Sequence, residues 1–134
     1  MAPSNREAGE ARYVFRVTFR LEPRKRDVSV EPQSFETTLY RAADPPGEDG
    51  WLFFRDNLWR GEVNDEAHLR ELTEETLGVP VSAVSFAELQ TEEAYLEALK
   101  RAIAAHLAEF NADTAEQVLS TYLGSSIRVV DDGV

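Results

Sequence analysis

Tyr13-Val14-Phe15-Arg16-Val17-Thr18-Phe19-Arg20-Leu21 alternates apolar and polar side chains almost without a break. A period of two is the period of a β-strand, whose successive side chains point to opposite faces. Tyr13, Phe15, Val17, Phe19 and Leu21 therefore share one face, while Arg12, Arg16, Thr18 and Arg20 share the other with Val14. A strand so divided belongs to a sheet with one face on a core, and part of the other face is expected to meet solvent or a partner.

Downstream, Pro23-Arg24-Lys25-Arg26-Asp27 breaks the alternation, and Val28 and Val30 suggest a short extended piece that ends at Pro32. Phe35, Thr37 and Leu39 then alternate with Glu36, Thr38 and Tyr40, which predicts a second strand antiparallel to the first. Asp44-Pro45-Pro46-Gly47-Glu48-Asp49-Gly50 reads as a loop. Residues 51–61 admit two readings: a hairpin turning at Asp56-Asn57, or a helix with Asp49 as N-cap and Gly61 as its stop. Helical projection favours the helix, because it gathers Trp51, Leu52, Phe54, Leu58 and Trp59 on one arc.

Asn64 is the expected cap of a helix that ends at Gly78, and residues 81–89 read as a strand. Thr91 opens the longest expected helix, which carries Tyr95, Leu96, Leu99, Ile103, His106, Leu107 and Phe110. Asn111 is the expected cap of a last helix ending at Gly124, before a short strand at Ile127 to Val130. The order ββααβααβ predicts a single α+β domain over 12–130, with a mostly antiparallel sheet and helices on one face. Residues 1–11 and 131–134 are expected to be flexible.

The 134 residues carry 25 acidic and 14 basic groups, for a net charge of −11. Only Lys25 and Lys100 are lysines; the other basic residues are arginines. The first 26 residues hold seven basic against three acidic groups, so the chain is electrically two-ended. Self-repulsion at this charge is relieved by salt, since the Debye length falls to about 3 Å at 1 M. Carboxylates in place of lysines keep a protein hydrated in brine, so the composition predicts a halophilic protein. It argues against a general binder of nucleic acid or of acidic membranes. No stretch reaches the roughly 18 apolar residues of a membrane span, and the first residues lack a secretion-signal pattern, so a cytoplasmic location is expected. Without cysteine there is no disulfide, thiolate metal site or cysteine nucleophile.

Chemistry-bearing motifs are sparse. Asp65-x-x-His68 imitates the carboxylate-x-x-His spacing of helical metal sites, but such spacings arise by chance in an acid-rich chain, and His106 lies within an apolar stripe. There is no nucleophile elbow and no phosphate-cradling glycine loop. No catalytic residue, metal ligand or cofactor is assigned. Two surface features stand out. Arg12, Arg16 and Arg20 repeat at about 13 Å along one strand face, available to an acidic partner or a phosphate backbone unless Glu36 and its neighbours neutralise them. The segment Trp51 to Trp59 holds two Trp and two Phe, which serve either the core or, with Arg55 or Arg60 nearby, an exposed anchor.

The phrase Phe54-Arg55-Asp56-Asn57-Leu58-Trp59-Arg60-Gly61, the opening Tyr13-Val14-Phe15-Arg16 and the closing Tyr122-Leu123-Gly124-Ser125-Ser126 resemble the LWR-salt protein family of halophilic archaea over about residues 11–129. The resemblance implies a haloarchaeal cytoplasm and carries no activity, ligand or catalytic residue. The functional expectation is a non-enzymatic protein-interaction domain, or a self-associating one, contacting through Arg16, Arg20, Arg55, Trp59 and Arg60. The alternative is an RNA-binding module on the Arg12/Arg16/Arg20 face.

Overall fold

The structure, a computed structural model, describes residues 9–21 and 27–130. Of the ends expected to be flexible, 1–11 and 131–134, residues 1–8 and 131–134 lie outside the described residues, as does the basic cluster Arg24-Lys25-Arg26. Residues 9–11 are held instead, with Glu10 O accepting the Glu92 N–H at 2.9 Å and Ala11 buried at the start of the first strand. The alternating run forms β1 (Ala11–Arg20), and β2 (Ser34–Ala42) pairs with it antiparallel from Arg12 opposite Ala42 to Arg20 opposite Ser34. After the loop come α1 (Phe53–Asn57), a hairpin of β3 (Leu58–Trp59) and β4 (Glu62–Val63), then α2 (Glu66–Leu77) and β5 (Val81–Thr91). The chain ends with α3 (Glu93–Ala104), α4 (Leu107–Phe110), α5 (Ala115–Leu123) and β6 (Ile127–Val129). The main sheet has the order β2-β1-β5-β6, antiparallel except for the β5–β6 pair, so the fold is a single α+β domain as expected.

Tyr13, Phe15 and Val17 on the inner face of β1 are buried against Phe54, Leu58, Leu69, Leu99, Ile103 and Leu123 from the helices and hairpin. Residues of the opposite face, among them Arg16, Arg20, Thr38 and Ser85, are exposed. β5 holds its place through two bulges. The register skips Ala87, between Val14↔Glu88 and Phe15↔Phe86, and Ser82, between Thr18↔Ala83 and Phe19↔Val81. Each extra residue restores the pleat, so Val81, Val84, Phe86 and Leu89 all face inward despite their uneven spacing.

Several local expectations are corrected. The helix over 51–61 is only one turn long, and the chain reverses at Arg60-Gly61, not at Asp56-Asn57. Residues 48–52 form a bend and turns, with Trp51 N–H on Glu48 O and Phe53 N–H on Gly50 O; the residue before α1 is Leu52, α1 has no side-chain cap, and Asp49 is not its N-cap. Asp65, not Asn64, caps α2; Asn64 closes the hairpin base by donating its N–H to Asn57 O and its Nδ2 to Asp56 O. Val28 to Val30 forms no strand.

Thr91 ends β5 instead of opening a helix, because it is fully buried between Ala11 and Val129. The long helix breaks at Ala105-His106, and this turns Phe110 onto Trp51, Phe54 and Tyr122. Asn111, at φ 52°, ends α4 in the left-handed region, and Thr114 caps α5 by accepting the Gln117 N–H at 3.1 Å.

Candidate functional site

The β3–β4 hairpin is two residues long on each side and stands only because it is clamped. Its turn residues, Arg60 at φ 53° and Gly61 at φ 82°, both have the positive φ of a tight hairpin turn. Arg60 N–H donates to Thr121 O at 2.7 Å and Gly61 N–H to Tyr122 O at 3.0 Å. Both acceptors are last-turn carbonyls of α5, which a helix leaves without partners. The contact is backbone against backbone: a Cβ on Gly61 would stand 3.0 Å from Leu123 O, and one on Gly124 would stand 3.2 Å from Arg60 O.

The clamp fixes three neighbouring side chains in three different roles. Leu58 is entirely buried in the core. Trp59 is 48% exposed and rests edge-on against Tyr122, with ring centroids 5.8 Å apart. Arg60 is exposed, with its guanidinium carbon 5.8 Å from the Trp59 ring. Holding a non-glycine residue in the left-handed region costs on the order of 1 kcal/mol or more. Arg55 lies apart from this pair in its bonding, since its Nε and Nη2 both contact Asp56 Oδ1 at 3.1 Å. Trp51 takes the other role open to the aromatic segment: it is buried against Phe54, Phe110 and the His106 ring.

A second feature is the open sheet face, where strand register brings together Arg12, Arg16 and Arg20 of β1, Glu36 and Tyr40 of β2, Glu88 and Gln90 of β5, and Arg128 of β6. The Arg12 guanidinium lies over the Tyr40 ring at 3.9 Å, and its Nε donates to Gln90 Oε1 at 3.0 Å. Gln90 Nε2 in turn donates to Glu88 Oε2, which also pairs with Arg128 at 2.9 Å. The hydrogen bond from Gln90 holds the Glu88 carboxyl below its ordinary range against the opposing effect of burial, and the contacts with Arg128 and the charge of Arg16 push in the same direction as Gln90. Arg16 and Arg20 are exposed and make no ion pair among the described residues, so Glu36 does not neutralise the stripe.

The histidine spacings have local explanations. Asp65 Oδ1 accepts the backbone N–H of His68 at 3.1 Å, so Asp65-x-x-His68 is the spacing of a helix cap. His106 is a boundary residue at the α3–α4 break, with Nδ1 2.8 Å from Ala102 O. Among the described residues no group of three or more His, Asp or Glu is placed to hold a metal ion. Burial pushes the Tyr13 and Tyr95 hydroxyls up in pKa, and Tyr95 donates to Asp44 O at 2.7 Å, which ties the 44–50 loop to α3. Among the described residues no helix is long and apolar enough to cross a membrane.

The hairpin clamp was missed at the sequence level, although Arg60-Gly61 and Gly124 each carried a signal: turn-forming and helix-stopping residues that meet only in three dimensions. No curated protein and no solved structure matches the chain. The family model described as LWR-salt protein matches residues 9–133, nearly the whole chain, and the protein belongs to the LWR-salt family.

Proposed function

We propose that this chain is a salt-adapted, non-enzymatic protein-interaction domain of the cytoplasm, and that the hairpin tip Trp59-Arg60 is its anchor. The observation that carries the reading is a half-exposed tryptophan on a backbone that cannot yield, beside an arginine kept where glycine or asparagine would be less strained. Trp and Arg are enriched among the residues that dominate protein interfaces: the rigid Trp ring brings large contact area at little ordering entropy, and the planar Arg guanidinium brings several fixed donors. In concentrated salt, long-range attraction is screened, so close, shape-matched contacts of this kind are what remain. Arg55, tied to Asp56, serves at the margin of the contact.

The test is a photo-reactive residue placed at position 59 and, in a second protein, at exposed position 71 of α2, each added to native cell lysate in molar KCl. A protein adduct specific to position 59, and lost on adding excess unlabelled wild type, is expected. Equal labelling from both positions contradicts the reading.

A second reading rests on the open face, where four arginines meet two glutamates on a chain of net charge −11. An RNA strand there would contact Arg16 and Arg20. It predicts RNA binding that persists in molar KCl and is abolished by Arg16→Glu with Arg20→Glu; no binding by the wild type removes it.

A further inference from the structure

The two edges of the main sheet are treated differently. On the β5 side, β6 covers Leu89 to Thr91, and α2 occupies two backbone groups further along: Glu74 Oε2 accepts the Val81 N–H at 2.8 Å and Glu66 Oε2 the Val84 N–H at 3.2 Å. Backbone groups that would otherwise recruit a foreign strand are thereby occupied. On the other side, no described element covers the outer edge of β2. Its nine residues pair with β1 without a register shift and contain no proline and no lysine, the usual devices that blunt an edge. Apart from Phe35 and Leu39, every residue of β2 is exposed. Such a strand, about 30 Å long, is a template for one more strand.

We infer that the occupant is a second copy of this chain, with the two β2 strands antiparallel about a two-fold axis at Thr38 and the two sheets joined into one of eight strands. Residues opposed in an antiparallel pair share a face, so an axis through a residue keeps the helices of both copies on the same side. In this register Glu36 of one copy lies opposite Tyr40 of the other. Over that ring the Arg12 guanidinium already stands at 3.9 Å, steadied by Gln90. Glu36 has no ion pair among the described residues, and the symmetry makes its contact with Arg12 twice. Centring the axis on Thr37 or Leu39 instead would set Glu36 against Thr38 or Ala42 and lose that contact.

On the inner face the same register sets Phe35 against Arg41 and Thr37 against Leu39. Of these, Leu39 and Arg41 border a groove of about 380 Å³ between β2 and α2, lined also by Phe53, Leu69 and Leu72. Leu72 is 40% exposed there, and a neighbouring copy would cover it. The strand carries one acid and one base, Glu36 and Arg41, so it is a neutral seam along which two strongly acidic chains can meet. This surface is separate from the hairpin tip, and neither proposal depends on the other.

The chain has no cysteine, so Thr38→Cys places a single thiol beside the axis. In molar KCl, light scattering should give the wild type twice the 15.1 kDa chain mass. Oxidised Thr38→Cys should run as a disulfide-linked dimer, while Arg101→Cys, exposed on α3, should not. Thr38→Asp, which sets two carboxylates against each other, should return the mass to that of one chain with an unchanged circular dichroism spectrum; Glu36→Arg should weaken association in the same direction. A wild type that stays at one chain mass across a concentration series overturns the inference. So does a dimer that survives Thr38→Asp while Thr38→Cys fails to cross-link.

Discussion

Arg60 occupies a backbone conformation that suits asparagine better, and this separates what the fold needs from what the side chain is for. Arg60→Asn creates an Asn-Gly hairpin turn, the pair most compatible with positive φ at both positions. It should raise stability by a few tenths to about 1 kcal/mol in thermal melts while weakening capture of the partner. A loss of stability would show that the guanidinium, and not the turn, holds the hairpin. Gly61 allows no such exchange: Gly61→Ala meets Leu123 O and should destabilise by about 1 to 3 kcal/mol, read from denaturant midpoints. Glu88 sets a pH dependence. Its folded pKa is lowered, so its contribution is fully present above the ordinary carboxylate range and is lost as pH falls through the folded value. The stability difference between wild type and Glu88→Gln should therefore be largest near neutrality and close to zero at the acid end of a pH series; a constant difference would contradict the Gln90–Glu88–Arg128 linkage.

Among the elements, β1 was legible because its alternation is a one-dimensional property of the sequence. The strand at 81–91 was legible as a strand but not in its register, since Val81, Val84, Phe86 and Leu89 keep no period of two until Ser82 and Ala87 are set aside as bulges. The Thr114-x-x-Gln117 cap was also readable, since Thr114 accepts the Gln117 N–H while Gln117 Oε1 reaches back to the Asp113 N–H. Asn111 obscured it, because asparagine serves helix starts and left-handed helix ends equally well. Thr114→Ala should cost about 1 kcal/mol. The 51–61 segment resisted reading because it is helix for one turn and hairpin thereafter, and what decides the switch is docking onto α5, which lies more than fifty residues on. Phe54, stacked on Phe110 and edge-on to Trp51 and Tyr122, binds these pieces together. Phe54→Ala should destabilise by about 3 to 5 kcal/mol, measured by chemical denaturation.

At the scale of the whole molecule, charge and function occupy different places. Among the described residues most of the acids lie on the helices and loops, while the open sheet face is rich in arginine and the hairpin tip presents Trp59 and Arg60. A net charge of −11 predicts that the melting temperature rises from dilute buffer to molar KCl as repulsion is screened. The two surfaces were legible as lists of residues: Trp59, Arg60 and the arginine stripe all stand out in sequence. What sequence could not separate was Trp51 from Trp59, since both share one helical arc and only the hairpin turns Trp59 outward while Trp51 enters the core. The central claim is that Trp59 serves contact more than folding, and one paired measurement on Trp59→Ala in molar KCl tests it. The melting temperature should stay within about 4 °C of wild type, since only the edge contact with Tyr122 is lost, while retention of the partner captured through position 59 should fall at least tenfold. A collapse of the fold with binding lost in proportion, or an intact fold with binding undiminished, would contradict the account.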